Sequence, residues 1–117
     1  PVDVCDMHNL MNRCYMVMTD SGGLQEEAPS LGKPVIVLRT ETERPEAVKA
    51  GTVIMGGIEK DVIVKYAADL ICDSEFYKKI SKTANPYGDG TASKRTVDAI
   101  LYHFGYLKER PEDLKVD

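Results

Sequence analysis

The chain has 117 residues, which fits one domain and is short for two. Its 43% hydrophobic and 29% charged residues are ordinary globular composition and argue against disorder. A net charge of −4 supplies no basic excess for a nucleic-acid partner, and no apolar run is long enough to span a membrane.

A helix is expected to start at Asp6 as N-cap and to run to about Cys14. Residues 15–19, 34–38 and 52–55 are short, nearly continuous apolar runs. Such runs predict strands covered on both faces, as in a parallel sheet. Between the first two strands a helix over residues 24–31 should end at Gly32, with Pro29 kinking or shortening it. Pro45 suits the first position of a brief helix that runs to Ala50 and closes at Gly51. Ile63, Tyr66, Ala67, Leu70 and Ile71 share one helical face. A short helix follows Ser74, and residues 85–90 form a dense turn signal. Val97, Ile100, Leu101 and Phe104 make a last apolar stripe, stopped by Gly105. Residues 108–117 read as a loose, charged tail. Strands alternating with helices predict an α/β fold with a parallel sheet. Three short strands make a thin sheet, so the chain is expected to be the back half of a larger one.

The residues with chemical promise lie where the strands end. Thr19-Asp20-Ser21-Gly22-Gly23-Leu24-Gln25-Glu26-Glu27 leaves a buried strand and opens a helix. Two glycines let a ligand approach the backbone, and helix-start N–H groups point outward, which suits a phosphate or diphosphate. A plain turn with Ser21 as N-cap fits the same residues. One of Glu26 and Glu27 suits two vicinal sugar hydroxyls; either also suits a helix start on charge alone. Arg39 or Arg44, after the second strand, could neutralise a diphosphate, or pair with Glu41, Glu43 or Glu46 in a solvated loop. Cys5, His8 and Cys14 make a poor metal set, and no metal is expected. An odd number of scattered cysteines, with no signal-like N-terminus, points to a reducing, cytoplasmic setting. His8 and His103 form no nucleophile–base constellation, so no catalytic residue is assigned.

Residues 20–34, Thr42-Glu43-Arg44-Pro45-Glu46-Ala47, Ala50-Gly51-Thr52-Val53 and Asn85-Pro86-Tyr87-Gly88-Asp89-Gly90 together resemble the non-hydrolysing UDP-N-acetylglucosamine 2-epimerases. The resemblance implies part of a Rossmann-like sheet from the C-terminal portion of a GT-B-like fold. It implies a partial UDP-binding domain over residues 1–106 and a charged tail over 107–117. The implied reaction interconverts UDP-N-acetylglucosamine and UDP-N-acetylmannosamine by elimination and re-addition of UDP, with no metal or redox cofactor. The implied UDP contacts are Ser21, Gly22 and Gly23 at the phosphates, Glu27 at the ribose, Arg44 at the nucleotide and the Met7 backbone at the uracil. The family's acid/base carboxylates and its catalytic histidine fall in segments outside this chain, so the chain alone is expected to be inactive. A UDP-sugar is the implied ligand and a homodimer the implied assembly of the full-length protein. An epimerase of a modified UDP-sugar, or a non-catalytic nucleotide-binding or interaction module, are the alternatives.

Overall fold

The computed structural model describes residues 1–114. The elements are α1 (Val4–Arg13), β1 (Val17–Thr19), α2 (Gly22–Ser30), β2 (Val35–Val37), α3 (Pro45–Ala50), β3 (Val53–Met55), α4 (Lys60–Cys72), α5 (Ser74–Ser81) and α6 (Ala92–His103). Their contacts divide the chain into two compact units, Pro1–Pro86 and the residues from Tyr87 onward.

In the first unit the three strands form a parallel sheet in the order β1-β2-β3. Val17, Val35 and Val53 lie in register across it, followed by Met18, Ile36 and Ile54. The central strand is wholly buried, with Val35, Ile36 and Val37 all at 0% exposure. The β-branched Val-Ile-Val run suits that place, since stiff side chains pack well on a pleat covered on both faces. β1 departs from the expectation of cover on both faces. It lies at the edge of the described sheet, and Met18 is 45% exposed while Thr19 is buried, so among the described residues only one of its faces is covered.

The core groups Ile36 with Leu70 of α4 and Ile80 of α5, and Met16, Phe76 and Tyr77 pack around them. Two tyrosines tie the unit's ends together. Tyr15 Oη donates to Leu70 O at 2.9 Å and Tyr77 Oη donates to Tyr15 O at 2.9 Å, with the rings 4.3 Å apart. Burial raises the Tyr77 hydroxyl's pKa above its ordinary value. The expected stripe on α4 needs one correction. Leu70 is buried, but Ile71 is 62% exposed, because it sits a further 100° round the helix, off the face that meets the sheet.

α1 also begins earlier than expected. Asp3, not Asp6, is its N-cap, and the Asp3 carboxylate accepts from Cys5 N at 2.8 Å. Asp6 instead lies in the first turn, where negative charge complements the helix dipole. α2 ends just past Pro29, and α3 starts with Pro45 at its first turn and closes on Gly51 at φ 81°. The second unit contains α6. Ahead of it Asp89 accepts from Thr91 N at 3.0 Å, Thr91 Oγ1 at 2.8 Å and Arg95 at 3.0 Å. Arg95 and Thr91 hold the Asp89 carboxyl far below the usual carboxylate range. Residues 108–114 carry no helix or strand, and the last three residues of the expected tail lie outside the described residues. Among the described residues no helix is long and apolar enough to cross a membrane.

Candidate functional site

The junction between β1 and α2 is built from Thr19 outward. Thr19 is buried at the strand's end, and its Oγ1 accepts from Ser21 N at 3.0 Å. That bond folds the chain back so that Ser21 caps α2. The Ser21 side chain makes no capping hydrogen bond, so its exposed hydroxyl is not spent on the helix. A plain N-cap serine would accept a hydrogen bond at its side-chain oxygen from a first-turn backbone N–H.

Gly22 and Gly23 form the first turn of α2. Neither has a positive φ. A methyl group on Gly23 would meet only Glu27 Oε1 at 3.7 Å and Ser21 Oγ at 3.9 Å, which is ordinary contact. On Gly22 it would approach Glu43 Oε1 at 2.8 Å, the tip of a flexible side chain. The fold therefore does not require glycine at either place, although glycine in a helix costs roughly 0.5–1 kcal/mol relative to alanine in the interior. The same measurements place the Ser21 hydroxyl and Glu27 Oε1 about one point beside Gly23.

Three carboxylates surround this turn, and each has a basic partner from another part of the chain or loop. Glu27 Oε2 is 3.1 Å from His8 Nε2 on α1. Glu26 accepts from Arg44 Nε. Glu43 accepts from Arg39 at 3.0 Å. The Glu43 carboxyl lies below the ordinary glutamate value, chiefly through a hydrogen bond from its own backbone N–H and then through the charge of Arg39. Of the two loop arginines, then, Arg39 pairs with Glu43 within the loop, while Arg44 reaches across to α2.

A buried relay holds the Arg44 loop against that helix. Gln25 is fully buried, and its Oε1 accepts from Thr42 Oγ1 at 2.7 Å. Thr42 Oγ1 in turn accepts from Arg44 N at 3.1 Å. Asn85 adds a tie from the far end of the unit, donating to Ser30 Oγ at 2.7 Å. Met7 lies on α1 one residue before His8, half-buried, with its N–H donated to Asp3 O at 2.9 Å.

The structure thus sets the Glu27 carboxylate beside the Ser21-Gly22-Gly23 turn, places Arg44 on α2 through Glu26, and links Met7's helix to α2 through His8. Thr19, Gln25, Thr42 and His8 carry no role in this site from sequence alone. Only Thr19 had a local signal, a threonine two residues before a helix-capping serine. Among the described residues no group of three or more metal-ligating side chains comes together.

The family model for UDP-N-acetylglucosamine 2-epimerase matches residues 1–101. The chain belongs to that family. The epimerase from Bacillus subtilis is 53% identical over 112 residues, 96% of this chain and 30% of its own length. The structure of S. aureus MnaA with UDP superposes with a TM-score of 0.86 at 49% identity, over 98% of this chain and 32% of that one. The Neisseria meningitidis UDP-GlcNAc 2-epimerase bound to UDP-GlcNAc gives a TM-score of 0.84 at 49% identity, over 87% of this chain and 28% of that one. The chain spans about 30% of the length of the curated epimerases it matches. It corresponds to their C-terminal part, and its three parallel strands belong to a GT-B-like epimerase fold.

Proposed function

We propose that this chain supplies the UDP-binding part of an epimerase that interconverts UDP-N-acetylglucosamine and UDP-N-acetylmannosamine. The observation that carries the reading is the Gly22-Gly23 turn. It forgoes side chains that the fold would accept, at a helix start flanked by an uncommitted serine hydroxyl and a carboxylate oxygen. Backbone N–H groups there suit a diphosphate, with Ser21 as a further donor. Glu27 would take the vicinal ribose hydroxyls, Arg44 would reach the nucleotide, and Met7's backbone would lie at the uracil.

As the bond from the sugar to UDP breaks, negative charge gathers on the departing oxygen, and donors already in place stabilise it. Residues 1–106 would form this nucleotide half-site, and 107–117 its tail. The acid/base groups of the reaction would come from elsewhere in the full-length protein, so the chain alone would bind without turnover. Free thiols at Cys5, Cys14 and Cys72 suit a reducing, cytoplasmic setting. The full-length protein would be a homodimer, which light scattering checks.

The decisive test is a chimaera in which this chain replaces the matching 112 residues of the B. subtilis enzyme. It should interconvert the two UDP-sugars, and Ser21→Ala should weaken UDP binding about tenfold. A folded chimaera without activity, beside an active parent, overturns the proposal.

A further inference from the structure

Resting on the reading of Glu27 as the ribose-binding carboxylate, we infer that His8 is the positioning residue that aims it. A glutamate on a helix surface has three rotatable bonds, and ordering such a side chain costs conformational entropy. Here one oxygen is already held. Oε2 lies 3.1 Å from His8 Nε2, with both side chains about half exposed. The other oxygen, Oε1, lies 3.7 Å from where a Gly23 Cβ would sit, a point 3.9 Å from the Ser21 hydroxyl. The His8 contact therefore selects the rotamer that presents Oε1 to the glycine turn.

Charge gives the same contact a second use. A carboxylate beside a diphosphate is repelled by it, and Glu26 and Glu43 at the same turn are each matched by an arginine. Glu27 has a histidine, whose ring donates a hydrogen bond at Nε2 whether it is charged or in the Nε2–H tautomer. Position matters too. His8 follows Met7, so a single side-chain contact fastens the α1 turn proposed for the uracil to the α2 turn proposed for the ribose. The pair lines a shallow cavity of about 250 Å³ with Ser30 and Leu31.

The test titrates the full chain with UDP and with 2′,3′-dideoxy-UDP, following amide spectra. Wild type should prefer UDP, and Glu27→Ala should abolish that preference. His8→Ala should weaken UDP about three- to fivefold, leave dideoxy-UDP unchanged, and add nothing to Glu27→Ala. His8→Gln, which can still donate from its amide, should recover part of the loss. Equal weakening of both nucleotides by His8→Ala, or no weakening, overturns the positioning role while leaving the Glu27 reading intact. A UDP preference that survives Glu27→Ala, or no UDP binding by the wild-type chain, overturns the underlying reading and this inference with it. The ring signals of His8 give a check without nucleotide: Glu27→Gln should move them, and unchanged signals count against the pair.

Discussion

Gly22-Gly23 follows β1 and Gly56-Gly57 follows β3, so the same dipeptide closes two strands of one sheet. At β3 the fold itself demands it. A methyl on Gly56 would lie 2.6 Å from Ile36 Cγ2 and 3.3 Å from Val37 O, against the fully buried central strand. Gly57 has φ 68°, a conformation that strains side chains. At β1 neither reason applies. Those glycines have ordinary backbone angles, and their would-be neighbours are the tips of Glu43, Glu27 and Ser21. One pair makes room for a neighbouring strand, and the other leaves room that the protein's own packing does not use. A glycine pair after a strand is therefore informative only once its surroundings are known.

The contrast breaks most clearly at Gly56. Gly56→Ala should lower stability by roughly 1–3 kcal/mol, because Ile36 has no space to retreat into. Urea unfolding measures this, and an unchanged midpoint would remove the distinction between the two junctions.

Next in size is the relay beneath the β1 junction. Thr42→Val keeps the shape but leaves Gln25 Oε1 buried without the Thr42 donor and removes the bond that Thr42 Oγ1 accepts from Arg44 N. About 1–3 kcal/mol should be lost. Amide shifts should move along α2 and the Arg44 loop while those at Gly56 stay put.

Gly23→Ala should act in the opposite sense to Gly56→Ala. Its backbone is already helical, so the unfolded chain loses freedom at no native cost, and stability should rise by about 0.4–1 kcal/mol. UDP binding should weaken in the same variant, and a more stable protein that binds UDP as before would deny the turn its proposed use.

The smallest effect concerns acid. The Glu43 carboxyl lies below its ordinary value of 4.5 in the folded chain, so its contribution is complete above that value. It fades as pH falls below that value and through the folded one. Amide signals of Gly22 should respond in that window, and those of Gly56 should not. Coincident titration of both would mean that the acid response is global.

Much of the backbone was legible because it rests on short-range sterics. Pro45 and Gly51 bracket α3 as expected, and the centres of all three strands coincide with the apolar runs. The failures fell where two local signals competed or where cover came from afar. Asp3 and Asp6 both suit a helix start, and only the turn that forms selects Asp3 as the cap. Met18 and Ile71 are as apolar as the buried Ile36 and Leu70 beside them, but their exposure depends on which faces other elements reach.

The sequence by itself determined the alternation of strands and helices, the parallel sheet, and the Ser21-Gly22-Gly23 turn at the strand's carboxyl end. Those follow from side-chain periodicity, proline and glycine, which act within a few residues. Only the tertiary structure decided that His8 meets Glu27, Arg44 meets Glu26 and Thr42 meets Gln25, across 19, 18 and 17 residues. The latter two contacts depend on the parallel register of β1 and β2, which sets α2 beside the Arg44 loop. The first depends on α1 lying within side-chain reach of α2. A carboxylate has no local preference among distant basic groups, so its partner is chosen by how the elements pack.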